Sequence, residues 1–285
     1  MGAAGLIEIK RRIKSVESTR KITKAMGLVS TSKLKKARHE LLIDEENLKL
    51  NKEIFQKVIL SIDSEEFDSI YFKQNQQTKS KLYIVVTSDT GLCGGYNGNV
   101  ASYMRDNILE DKDNIELIVL GAKGENYMKR LGYNASQQLV ELSDLPTIKE
   151  VRCVYQRAKY LYMQGKVSEI NIIYTEYLSS MKQQVTCEKI LPLELPSGKV
   201  RDIKIEPNIE IVLEVALERY IRSKLRRDLL HAKVSEQSAR RDAMDSATKN
   251  ANELIRGLSL KYNRIRQSMI TQEISEIVGG AEAQK

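Results

Sequence analysis

A chain of 285 residues, 41% hydrophobic and 29% charged, is long enough for one large domain or two and carries more charge than an average soluble protein. No window approaches eighteen consecutive apolar residues, which argues against a membrane-spanning helix, and the opening MGAAGLIEIKRR is too charged for a secretory signal and has Leu6 where myristoylation needs Ser or Thr. The net charge of +8 admits nucleic acid, anionic lipid or acidic protein partners, whereas Cys93, Cys153 and Cys187, far apart and joined only by His39 and His231, argue against zinc or a disulfide framework and read as reduced thiols.

The first element is a helix from about Gly5 to Phe67. The span has no proline, and Leu6, Ile9, Ile13 and Val16 open an apolar stripe that Leu34, Ala37, Leu41, Leu48 and Phe55 continue. Between the two halves the large side chains give way to Thr23, Gly27, Ser30 and Ser32. Glycine inside a helix costs up to ~1 kcal/mol relative to alanine. Small residues there imply that a second helix comes close.

A polar linker follows, from Phe67 to Thr78. At Lys81 the pattern changes to LYIVVTS, a buried strand, then the glycine-rich turn GLCGGYNG. A helix over Asn99–Glu110, a strand from Ile115, helices over Ala122–Leu131 and Thr147–Gln164, and strands from Ile170 and Gln184 complete an α/β pattern with a parallel core. Pro192, Pro196 and Pro207 punctuate the exit.

The last element, Asn208 to Lys285, reads as one helix on the order of 100 Å long at ~1.5 Å per residue. Its expected seam runs through Ile211, Val215, Leu225, Leu229 and Ala232, then Ala239, Ala243, Ala247 and Ala251, then Leu254, Leu258, Tyr262, Ile265 and Met269. The fold expected is therefore α/β, a Rossmann-like domain at 78-206 inserted between two terminal helices, 1-67 and 208-285, that pair as an antiparallel coiled coil.

Candidate chemistry is thin. Asp89-Thr90-Gly91 resembles an aspartic-protease triplet, but that reaction needs two carboxylates sharing a proton, and one triplet in an α/β pattern supplies one. Gly91, Gly94, Gly95 and Gly98 match neither G-x-G-x-x-G nor a P-loop, and Gly121-Ala-Lys-Gly124 is no better. Asp242 with Asp245, and Glu273 with Glu276, lack a His or Cys companion and read as helix-surface charge. Asn134-Ala-Ser136 is a formal glycosylation sequon. No catalytic residue, cofactor-binding residue or metal ligand is expected, and no cofactor.

Three stretches are more specific: RRIKSVESTRKITKAMGLVSTSKLKKA (11–37), VTSDTGLCGGYNGNV (86–100) and SEQSARRDAMDSATKNANELIRGLSLKYNRIRQSMITQEISEIVGGA (235–281). Together the chain resembles the γ subunits of F-type ATP synthases along essentially its whole length. The resemblance implies a non-catalytic shaft turning inside a hexamer of α and β subunits, with the α/β domain near the ε subunit and the ring of c subunits. It implies no nucleic-acid partner, attachment to a membrane only through the complex, and a peripheral place on the cytoplasmic face of a bacterial cell membrane, the absence of a transit peptide favouring that source.

Carried over by position, Met26, Lys24, Arg240, Gln267, Thr271, Glu273 and Glu276 are expected to couple the shaft to the β subunits, with Lys21, Lys33 and Lys36 as further complementary charge. Ile270, Ile274, Ile277 and Val278 are expected to form an apolar bearing. Gly27 departs from the longer side chain usual beside Met26, and the cysteine-pair insertion of chloroplast forms is lacking. The competing readings are a nucleotide-binding α/β protein with coiled-coil arms and a basic coiled-coil adaptor for nucleic acid.

Overall fold

A computed structural model describes residues 2–61, 70–72, 78–133, 137–139, 142–195, 205–206 and 208–282. Most of the expected linker, Pro196, Pro207 and the Asn134 sequon lie outside these residues. The elements in chain order are α1 (Gly2–Leu60), β1 (Lys81–Val86), α2 (Tyr96–Asn107), β2 (Ile115–Leu120), α3 (Ala122–Arg130), β3 (Gln137–Leu139), α4 (Ile148–Met163), β4 (Glu169–Tyr177), β5 (Gln183–Leu191) and α5 (Ile209–Glu282). They divide into two compact units, Thr31–Arg240 and Met1–Ser30 with Arg241–Lys285.

The larger unit is built on a five-stranded sheet of order β3-β2-β1-β4-β5. β1 pairs in parallel with β2 and β4, β2 in parallel with β3, and β5 runs antiparallel to β4 at the edge. β1 and β2 read as nearly unbroken apolar runs because both faces of the sheet are covered there. Tyr83 and Val85 of β1 join Val100, Met104 and Met128 of α2 and α3, while Leu82, Ile84 and Val86 join α4, the end of α1 and the first half of α5. β3 was not anticipated: QQL is short and polar, with none of the β-branched bias that marks a strand. α2 begins three residues before the expected Asn99 and ends at Asn107, because the turn closes on Gly95 and Ile108 is already extended. α4 matches its expected span, with Thr147 and Glu150 forming a reciprocal capping box.

In this unit α5 departs from a one-sided seam. Ile211 and Val215 are 56% and 54% exposed, and Leu213, Ala216, Leu217 and Ile221 are buried in their place. Further on, every residue from Asp228 to Ser238 is buried. α1 packs antiparallel against the turns just before it, from Tyr220 to Arg226. Asn51 Nδ2 donates to Ser223 Oγ at 2.9 Å, Arg226 pairs with Asp44 and Glu40, and Phe55 stacks on Tyr220 at 5.2 Å.

The smaller unit holds the rest of α1 and α5, again antiparallel. Arg20 Nη1 donates to Asn252 Oδ1 at 3.3 Å, and the hydroxyls of Thr23 and Thr248 meet at 2.8 Å. A Cβ at Gly27 would sit 3.4 Å from Asp245 Oδ1 and 3.6 Å from Met244 Cβ, the close approach its small size suggested. The buried seam of α5 here is Met244 and Ala251, with Ala243 and Ala247 only half-buried at its margin. Ile255, Leu258, Tyr262, Ile265 and Met269 remain half-buried, so the covered stripe reaches Met269, and Ile270 to Ala281 are exposed.

Candidate functional site

Strands β2, β1 and β4 are parallel, so their C-terminal ends share one edge of the sheet. The chain leaves β1 towards β2 and returns later to β4 on the other side, so the strand order reverses between β1 and β4. Doubly wound folds hold their ligands in the crevice at that reversal. Here the buried segment of α5 occupies it.

The contacts in the crevice join α5 to α2, to the end of β4, to the turn after β1 and to the loop ahead of α4, and join its own charged side chains to one another. Tyr96 Oη donates to the Ala232 carbonyl at 3.2 Å, and Ser235 Oγ donates to the Thr175 carbonyl at 3.0 Å. Lys233 Nζ donates to the Leu142 carbonyl at 3.2 Å and lies 3.5 Å from Asp89 Oδ2 and 3.6 Å from Glu236 Oε2. Arg240 pairs with Glu236 at 2.7 Å, and its Nη2 donates to the carbonyl and hydroxyl oxygens of Thr90 at 3.1 and 3.0 Å and reaches the Gly91 carbonyl at 3.4 Å. The second oxygen of Asp89 accepts from the Ala122 amide at 3.2 Å, at the start of α3. Isolated buried ions are costly, and these are stabilised because each finds an opposite charge or a carbonyl.

The glycine turn after β1 is closed on itself. The Ser88 amide donates to Asn97 Oδ1 at 3.0 Å, Asn97 Nδ2 donates to Ser88 Oγ at 2.7 Å, and Ser88 Oγ donates to the Thr90 carbonyl at 2.8 Å. Towards α5 the turn offers the carbonyl oxygens of Thr90 and Gly91. A phosphate cradle needs the opposite, converging N–H groups. Asp89 beside them adds negative charge. The Asp89-Thr90-Gly91 triplet is therefore a socket for two cations of α5.

One turn earlier α5 carries a second buried charged group. Arg227 donates through Nε to Asp228 Oδ1 at 2.8 Å and pairs with Glu188, which also takes Lys224 at 3.0 Å and the Tyr174 hydroxyl at 3.2 Å. Asp228 is fully buried, its Oδ2 makes no hydrogen bond among the described residues, and burial pushes its carboxyl up to about 7 despite Arg227. His231 accepts from the Tyr177 amide through Nδ1 at 3.3 Å, which requires an unprotonated Nδ1, and burial lowers it to about 4 although Glu45 stands 3.6 Å from Nε2.

These two groups act oppositely on stability. Asp228 titrates at an ordinary 3.8 when unfolded, so the folded state holds an extra proton between 3.8 and about 7, and its contribution falls as pH rises through that window. His231 holds a proton less when folded between about 4 and 6.5, so its contribution rises over nearly the same window. In the wild-type chain the two slopes should largely cancel. Asp228→Asn is expected to expose a stability that climbs from pH 4 to 6.5, and His231→Gln one that declines from pH 4 to 7. Urea unfolding across this range checks both, and parallel profiles for the two variants would contradict the assignment.

Of the residues singled out by resemblance, only Arg240 lies in this crevice, 6% exposed. Met26 is half-buried and Lys24 exposed on α1. Gln267, Thr271, Glu273 and Glu276 are exposed on α5, where Thr271 Oγ1 donates to the Gln267 carbonyl at 3.0 Å and Glu276 accepts from Gln272 at 2.9 Å. Ile270, Ile274, Ile277 and Val278 are 47%, 56%, 71% and 54% exposed. Met26 and Gln267 are not brought together: Gly27 faces Met244 and Asp245, and Gln267 is roughly 33 Å further along the helix at 1.5 Å per residue. Lys33 pairs with Asp144 at 2.8 Å, so that cation already has a partner. Sequence reasoning missed Lys233, Glu236, Tyr96 and Asp228. The available signal was the loss of a polar face on α5, since charges at 228, 233 and 236 fall among the residues expected to pack.

Among the described residues no three His, Cys, Asp or Glu side chains converge as a metal site, and no helix is long and apolar enough to cross a membrane. A surface groove of about 560 Å³ beside Phe55, Tyr220 and Lys224 lies away from the crevice, and Lys224 there is engaged by Glu188 and the Lys189 carbonyl.

Residues 5–284 match the family described as ATP synthase. The ATP synthase gamma chain of Clostridium botulinum is 53% identical over 285 residues, and that of Clostridium beijerinckii 48% identical over 284, each alignment covering 100% of both chains. A chain of the Euglena gracilis mitochondrial ATP synthase superposes with a TM-score of 0.73 at 15% identity, over 99% of this chain and 95% of that one. One from the central stalk and c-ring of the Tetrahymena thermophila mitochondrial ATP synthase gives 0.59 at 21% identity, over 79% and 99%. At such identities the superpositions speak for the fold. The full-length identity to the Clostridium chains speaks for the family: this chain belongs to the gamma chains of the ATP synthase family.

Proposed function

We propose that the chain is the central rotor shaft of an ion-translocating ATP synthase and is itself non-catalytic. It turns inside a hexamer of α and β subunits and, through the ε subunit and the c-subunit ring, converts ion flow into ATP synthesis or the reverse. The observation that carries this reading is the filled crevice. The α/β unit uses its ligand-binding edge to grip α5, which suits a part that transmits force and leaves no room for a nucleotide. An exposed helix end supports it: among the described residues Ile270, Ile274, Ile277 and Val278 stand exposed and supply the apolar surface of a bearing.

In this reading Met26, Lys24, Gln267, Thr271, Glu273 and Glu276 meet the β subunits directly, each presenting a different face as the shaft turns, so that each β site is biased in turn towards another conformation. Arg240, buried in the crevice, contributes by holding α5. The chain sits on the cytoplasmic face of a bacterial cell membrane through its complex. The deciding experiment is co-purification with α and β subunits, with one copy expected per three β subunits and restored ion-coupled ATP synthesis in complexes lacking this chain. Failure to assemble, or saturable nucleotide binding and hydrolysis by the isolated chain, would favour a nucleotide-binding protein with coiled-coil arms.

A further inference from the structure

We propose that Lys233, Glu236 and Arg240, seated on Asp89, Thr90 and Gly91, form a register lock: positioning residues that set the axial and rotational setting of α5 on the sheet and carry torque between the α/β domain and the helix. This rests on the rotor reading above.

The apolar contacts of α5, through Leu213, Leu217, Ile221, Leu225 and Leu229, hold it against the sheet. Hydrophobic attraction is non-directional, so it resists separation far better than sliding or turning. Charge-assisted hydrogen bonds have a defined length and angle, so they resist both. Those of the crevice come from separate parts of the fold. The turn after β1 takes both cations, Arg240 on Thr90 and Lys233 on Asp89, and the Leu142 carbonyl ahead of α4 takes Lys233 as well. Glu236, 2.7 Å from Arg240 and 3.6 Å from Lys233, joins the two cations on one helix face. A turn of α5 by one residue, about 100°, would break every one of these bonds and leave the ions buried and unpaired. Apolar residues at 233 and 236 would pack without that cost. Buried ions kept in such a place are best explained by the register they specify.

The test uses complexes assembled with the α and β subunits and the membrane sector in vesicles, measuring ATP hydrolysis and ions pumped per ATP. Lys233→Met and Glu236→Gln remove charge at nearly constant volume, and both are expected to lower ions pumped per ATP by about threefold or more, hydrolysis falling less. Lys233→Arg keeps a donor for Asp89 and should retain most of the ratio, and the exchange Asp89→Lys with Lys233→Asp should recover part of it. An unchanged ratio in Lys233→Met would overturn the lock while leaving the rotor reading intact. So would equal losses of pumping and hydrolysis accompanied by a lower melting temperature in every variant, which is the mark of a merely structural role. If complexes with the wild-type chain neither assemble nor pump, the rotor reading itself fails.

Discussion

Gly121→Ala should destabilise the α/β unit by at least about 3 kcal/mol, a large effect for the addition of one methyl group. Gly121 follows β2 with φ +99°, a conformation that L side chains rarely adopt. A Cβ there would stand 2.4 Å from the Thr87 carbonyl oxygen and 2.7 Å from its carbon. The obstacle is backbone, and it is fixed from several sides. The Thr87 amide and hydroxyl both donate to the Leu120 carbonyl at 2.8 Å, and the Lys123 amide donates to the Ser88 carbonyl at 3.0 Å. Relief therefore requires the ends of β1 and β2 to part, which would also pull Ala122 from Asp89 and loosen the seat of Lys233. The change is read by urea unfolding together with hydrogen exchange of the β1 and β2 amides. Exchange that stays as slow as in the wild type, with an unchanged unfolding midpoint, would contradict the account.

What was legible in the sequence follows from what each signal measures. Buried parallel strands announce themselves because β-branched runs such as LYIVV and IELIVL fit a sheet covered on both faces and little else. The two terminal helices were legible from the absence of proline and a recurrent apolar step. The close approach of α1 and α5 at Gly27 was legible too, because only small residues permit it. β3 was not, since a three-residue edge strand is specified by its neighbour, Ile118 to Leu120, more than by itself. The seam of α5 differs from expectation at both ends of the α/β unit: at the start the apolar Ile211 and Val215 lie on the wet face, and further on there is no wet face. A hydrophobic stripe locates a helix face only when the opposite face is wet, and from Asp228 to Ser238 no face is wet. The coupling and bearing residues came from resemblance alone, because exposed side chains such as Gln267 and Glu276 leave no local physical trace of the surface they meet. The charges of Lys233 and Glu236 stand among residues expected to pack, but topology was needed to show that they meet the reversal of strand order.

The second large effect is expected at Arg226, where α1, α5 and the approach to α4 meet. Its guanidinium pairs with Asp44 through Nη1, reaches Glu40 at 3.3 Å through Nη2, and donates through Nε to the Pro146 carbonyl at 3.1 Å. Asp44 is 6% exposed, and its other oxygen has no hydrogen-bond partner among the described residues. Burial raises the Asp44 carboxyl above its ordinary 3.8 even with Arg226 in place. Arg226→Met keeps much of the volume and strands that carboxylate, which should cost roughly 3–5 kcal/mol at pH 8. An acid whose folded pKa is raised contributes stability that is present at low pH and lost as pH rises, so the deficit of Arg226→Met should shrink at pH 5, where more of Asp44 carries its proton. Adding Asp44→Asn should recover a large part of the loss at pH 8 without restoring the ion pair, because most of the loss comes from leaving a buried charge unpaired. Urea unfolding of the single and double variants at both pH values decides it. A deficit that grows on acidification would mean that Asp44 is not the group responsible. Under the rotor reading the consequence reaches beyond stability, because Arg226 ties α1 to α5 within the unit that grips the shaft, and a chain whose terminal helices shift against each other there should lose coupling before it loses its fold.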